Sequence, residues 1–145
     1  MLEKVQIVIF KKINEKLCVL LLQTNEARGK FWQNITGGIE PEDHNNLYAA
    51  QREIKEEIGT LLPLNQIESL NQSFEYFDQR RDQDYKEHLF YVFLESELKI
   101  SLSPEHMNYK WVDVNDISSS SYKFESSFKA YELSLSDIER KLSNA

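Results

Sequence analysis

Between Asn46 and Ile58 the apolar residues Leu47, Ala50, Ile54 and Ile58 recur at the spacing of one helical face, and Gly59 stands where such a helix would be capped. A helix with a single apolar side must bury it, and the rest of the chain supplies the partner, because the segments on both flanks read as strands. Residues 5–10 are β-branched and partly alternating and residues 17–22 form a continuous apolar run, so the two predict a hairpin across residues 12–16. Residues 31–36 predict a short aromatic strand ending at Gly37-Gly38, a pair that permits a tight turn and close backbone approach. Further strands are expected at 67–76, 88–94 and 109–112, with the polar tract 78–84 as an exposed loop. Phe124, Phe128, Tyr131, Leu135, Ile138 and Leu142 alternate in steps of four and three, which predicts a second helix packed on the sheet. There is neither an internal repeat nor a linker long enough to divide the chain, so one α/β domain over residues 1–145 is expected.

Composition narrows the chemistry. With 41% apolar residues the chain can bury one substantial core. A formal charge of −7 argues against a nucleic-acid polymer as partner, since phosphate-backbone binding relies on clustered Lys and Arg. Cys18 is the one cysteine and sits in the apolar run 17–22, where a thiol acts as a small hydrophobe; disulfide and thiolate-metal chemistry are therefore not expected. No stretch of 18 consecutive apolar residues occurs and the start lacks a secretory layout, so a soluble, cytoplasmic protein without a membrane partner is expected.

Glu53, Glu56 and Glu57 lie at i, i+3 and i+4, within roughly a 100° arc of the helix. Leu47, Ala50, Ile54 and Ile58 occupy the neighbouring arc, which holds the glutamates at the margin of the core. Like charges this close repel and weaken a helix, unless a hard divalent cation turns the repulsion into binding. Such a cation would also make an acidic site hospitable to a phosphorylated small molecule. No Ser-His-Asp or Cys-His constellation competes for the chemistry.

The order Arg52-Glu53-Ile54-Lys55-Glu56-Glu57-Ile58-Gly59, downstream of Gly37-Gly38, resembles the signature of the Nudix family: Gly, five residues, Glu, seven residues, then Arg-Glu-aliphatic-x-Glu-Glu-x-Gly-aliphatic. Arg52, Glu53, Ile54, Glu56, Glu57 and Gly59 match in place, and Thr60 replaces the final aliphatic residue. The first half departs from the pattern. Counting from Gly38 puts His44 at the acidic position; counting from Gly37 puts Asp43 there, with one extra residue before Arg52, and Glu42 is a third candidate.

The resemblance implies an α/β/α sandwich built on a central mixed sheet, Mg²⁺ (with Mn²⁺ as an alternative) as cofactor, and hydrolysis of a diphosphate linkage. It implies Glu53, Glu56 and Glu57 as metal ligands, Arg52 as the residue holding a helix carboxylate in place, and Glu105 as an acid that completes the metal site or takes a proton from the attacking water. Lys4, Arg28, Thr36, Gly37 and Gly38 match substrate-contacting positions. Residues 31–38 together with 105–111 are similar to the branch acting on dihydroneopterin triphosphate and deoxynucleoside triphosphates, with release of a monophosphate and pyrophosphate. The alternatives are an oxidised nucleotide, a nucleotide sugar or a dinucleoside polyphosphate as substrate, or a catalytically silent nucleotide-binding module. Trp32 and Tyr91 are expected in the core, His106 carries no assigned chemistry, and oligomeric state is not legible.

Overall fold

The computed structural model describes residues 1–144. Strand β1 (Leu2–Ile13) turns through Asn14 and Glu15, both at positive φ (50° and 68°), into β2 (Lys16–Thr24). Paired positive φ values fit a two-residue hairpin, whose backbone twist matches that of its strands. After a short helical turn at Glu26–Arg28 come β3 (Trp32–Gln33) and β4 (Ile35–Gly38), followed by helix α1 (Asn46–Ile58). The hairpin β5 (Ile67–Asp78) and β6 (Gln83–Leu94), then β7 (His106–Asp113) and helix α2 (Glu125–Ser143), complete the order.

The strands form one seven-stranded sheet with a path β3-β2-β1-β6-β5, to which β4 adds on β1 and β7 on β2. β1 and β6 run parallel and the remaining pairs antiparallel, so the sheet is mixed. Along β1, Val5, Ile7 and Ile9 point to one face, where they pack with Ala49, Ala50, Ile54 and Ile58 of α1. Val8 and Phe10 point to the other and pack with Ala130, Tyr131 and Ile138 of α2. Period-two strands between period-3.6 helices give the expected α/β/α sandwich. Among the described residues no helix is long and apolar enough to cross a membrane.

Several local expectations change. The aromatic segment 31–36 is two strands: β3 pairs with β2, β4 pairs with β1, and buried Asn34 marks the switch of partner. Its side chain compensates for the break in pairing, donating to Gln6 Oε1 at 2.8 Å and to the Ser127 carbonyl at 3.1 Å. Gly37 and Gly38 lie inside β4 and form no turn. Strand pairing reaches Asp78 and Gln83, so only residues 79–82 remain of the loop expected at 78–84. β7 begins at His106, three residues earlier than the aromatic pattern suggests, because a bulge at Met107 lets His106 pair with Thr24 of β2. On α2 the buried face is Ser127, Ala130, Tyr131, Ser134 and Ile138, while Phe124 and Leu142, at the ends of the expected stripe, are about half exposed.

Candidate active site

Helix α1 is tied down at both ends. Asn45 caps its start by accepting from the Tyr48 N–H, and Gly59, at φ 79°, lets the last turn close through its N–H onto the Lys55 carbonyl. Burial of Ala50, Ile54 and Ile58 fixes the rotation of the helix about its axis. Glu53 and Glu57 are thereby carried under the neighbouring backbone, at 6% and 4% exposure, while the side chain of Glu56 remains half exposed.

Gly37 makes room for Glu53. A Cβ on Gly37 would lie 2.0 Å from the Glu53 carboxyl carbon, whereas one on Gly38 would meet nothing within 4 Å. The glycine pair therefore serves close approach at one position only, and neither residue needs positive φ. Burial pushes the Glu53 carboxyl up to about 7, against the lowering effect of the Arg52 guanidinium beside it.

Arg52 organises this side of the site. Its Nε and Nη2 donate to the two Asp43 oxygens at 2.9 and 2.8 Å, and Nη2 also donates to the Gly38 carbonyl at 2.8 Å. Nη1 donates to Glu53 Oε1 at 2.9 Å and Glu56 Oε1 at 3.2 Å. Of the three candidate loop acids, Asp43 is the one that engages the helix. Glu42 and His44 are exposed, and the His44 ring rests edge-on against Tyr48. Asp43 also accepts from the Glu40 N–H at 2.8 Å, and these contacts, Arg52 first, hold its carboxyl below the usual range.

Glu57 has different neighbours. Oε2 accepts from Ser103 Oγ at 3.0 Å and stands 2.7 Å from His106 Nδ1. Burial alone would raise its pKa, but contacts with His106, Ser103 and the Glu105 carboxyl outweigh burial and lower it. Glu105 lies in the loop before β7, next to His106, and its carboxylate pairs with Arg28 at 3.2 Å. Two adjacent glutamates of one helix are therefore held by opposite means, Glu53 against an arginine and Glu57 against a histidine and a serine.

Arg52, Glu53, Glu56, Glu57, Glu105, Gly37 and Gly38 are gathered around α1, with Arg28 attached through Glu105. Lys4 and Thr36 are not. Gln6 and Thr36 pair across β1 and β4 and face the α2 side, as does Lys4, whose ammonium lies 4.4 Å from the centre of the Tyr85 ring. Thr36 Oγ1 donates to buried Glu87 at 3.4 Å. Tyr91 is buried in the α2 layer and Trp32 packs at its margin, as expected. Cys18 is buried too, and that burial raises its thiol pKa.

As they stand, no three of the carboxylates and imidazoles among the described residues converge on one point, since Glu53 and Glu56 turn toward Arg52 and Glu57 toward Ser103 and His106. The donor set still suits a hard cation. It offers carboxylate oxygens on one helix face, a glycine cradle that admits one of them, and a further carboxylate from another loop. Sequence reasoning did not single out Ser103, Gln33 or His106. For His106 the available signal was its adjacency to Glu105; for Ser103 there was none.

An acidic, arginine-braced helix lying on a mixed sheet places the chain in the α/β/α sandwich class. The NUDIX domain model matches residues 3–133, and the chain belongs to the Nudix hydrolase family. It is 29% identical over 106 residues to nucleoside triphosphatase NudI of Escherichia coli, covering 68% of this chain and 74% of that protein. A 110-residue match to an octanoyltransferase of Myxococcus xanthus is 32% identical and covers 76% of this chain, but the chain spans only 30% of that protein's length. Among solved structures, the dihydroneopterin triphosphate pyrophosphohydrolase of E. coli superposes with a TM-score of 0.73 at 27% identity, covering 99% of this chain and 96% of that one.

Proposed function

We propose that this Nudix hydrolase cleaves a diphosphate linkage of a nucleoside triphosphate or of dihydroneopterin triphosphate in a Mg²⁺-dependent reaction, releasing a monophosphate and pyrophosphate. The observation that carries the reading is the placement of Glu53, Glu56 and Glu57 at i, i+3 and i+4 on α1, beside a loop that brings Ser103, Glu105 and His106 to the same end of the helix. The two E. coli relatives, a nucleoside triphosphatase and a dihydroneopterin triphosphate pyrophosphohydrolase, support the substrate class.

Glu53, Glu56, Glu57 and Glu105 would hold the cation, which when bound neutralises polyphosphate charge and makes a water acidic enough to attack phosphorus. Arg52, fixed by Asp43, holds Glu53 and Glu56 side by side on the helix. Glu105, more exposed than Glu57, is suited to accept the proton that water loses as the P–O–P bond breaks. Little covalent help is needed for phosphoryl transfer, which suits a site made of charges.

The test is a substrate panel with Mg²⁺, scoring phosphate against pyrophosphate release. Pyrophosphate from a deoxynucleoside triphosphate or from dihydroneopterin triphosphate is expected. Glu57→Gln should lower turnover by at least about a hundredfold, because it removes a ligating charge and keeps the shape. Release of orthophosphate alone, or near wild-type turnover by the variant, would refute the reading.

A further inference from the structure

We infer that His106 is a positioning residue for the metal site: its Nδ1–H, with the Ser103 hydroxyl, holds Glu57 Oε2 and leaves Oε1 as the ligating oxygen. The inference rests on the reading of Glu57 as a metal ligand. The His106 side chain is 1% exposed and lies between β7 and α1, where an unpaired polar group is costly. Gln33 Nε2 stands 3.0 Å from His106 Nε2. An amide nitrogen only donates, so Nε2 is the acceptor and the ring proton resides on Nδ1.

That proton points into the site. Nδ1 lies 2.7 Å from Glu57 Oε2, yet off the direction that would complete a full hydrogen bond, which leaves it the ring's unsatisfied buried donor. Ser103 Oγ donates to the same oxygen at 3.0 Å, so the hydroxyl and the imidazole both stand against Oε2. The chain from Gln33 through His106 to Glu57 therefore sets the tautomer, the ring orientation and the free face of the carboxylate, the task that outer hydrogen bonds perform around metal ligands.

Replacement chemistry separates this role from simple core filling. Asparagine places an amide N–H where Nδ1–H stands, whereas glutamine places its amide near the Nε2 end. Mn²⁺ alone serves as the probe, with free ion followed by electron paramagnetic resonance, alongside thermal melts and kcat and KM on the best triphosphate. His106→Ala and His106→Gln should weaken Mn²⁺ binding by about 10- to 100-fold and lower kcat more than they raise KM, while His106→Asn should stay within a few-fold of wild type. If His106→Ala does not fold, the Asn and Gln pair decides. Equal Mn²⁺ affinity in those two, or undiminished affinity in His106→Ala while Glu57→Gln loses it, overturns the positioning role and leaves the site standing. Wild-type affinity in Glu57→Gln overturns the metal assignment itself.

Discussion

One methyl group added to Gly37 would place a carbon 2.0 Å from the Glu53 carboxyl carbon, and the yielding partner is the end of a flexible side chain, with no backbone in the way. Gly37→Ala should therefore cost little stability, on the order of 1 kcal/mol or less, while expelling the Glu53 head from its cradle. The expected result is weakened Mn²⁺ binding with a nearly unchanged melting temperature. Gly38→Ala meets no atom and should leave the affinity for the ion alone unaltered. Equal losses in the two variants would show that the cradle is not what holds Glu53.

At the scale of elements, one ion pair joins the loop after β4 to helix α1. Asp43 binds two nitrogens of Arg52, and its side chain is only 6% exposed. Its pKa is held below the ordinary value chiefly by the Arg52 hydrogen bonds, so in the folded protein it stays ionised where the unfolded chain takes up a proton. That stabilisation is fully present above the unfolded pKa of about 3.9 and is lost as pH falls through the lower folded value. Asp43→Asn should thus be less stable than wild type at pH 7, and the gap should close as the pH of the denaturation experiment drops below roughly 4. A gap independent of pH would mean that shape, not charge, ties the loop down. The same clamp shows what is legible in the sequence. Helix α1 is readable to its last residue because periodicity and glycine stop agree. The partner of Arg52 is not readable, because the loop departs by one residue from the family spacing and only the closed guanidinium contact selects Asp43 over Glu42 and His44. The break at Asn34 is hidden for a related reason, since the aromatic run is continuous while its hydrogen bonding changes strands. His106 is hidden because a bulge at Met107 carries β7 further back than its alternation suggests.

On the scale of the whole molecule, a net charge of −7 includes several glutamates crowded on one helix face, a crowding that Arg52 only partly offsets. Mg²⁺ should raise the melting temperature of wild type more than that of a Glu53→Gln/Glu57→Gln variant, because it binds only the native state and relieves repulsion along α1. Equal shifts in scanning calorimetry would place the stabilising ion elsewhere. The parallel pairing of β1 with β6 has its own consequence. Leu2 lies opposite Tyr85 and Lys11 opposite Leu94, so during synthesis the central strand must wait for more than eighty further residues before its parallel neighbour exists. Pairings this distant in sequence are slow to close, because loop entropy is lost before the contact repays it. The hairpin with β2 and the short pairing with β4 can form early, but one long edge of β1 stays open until β6 emerges. A nascent chain halted near residue 80 would therefore carry all of α1 and its glutamates on an unfinished platform, and the metal-binding face would be among the last features of this protein to become competent during its synthesis.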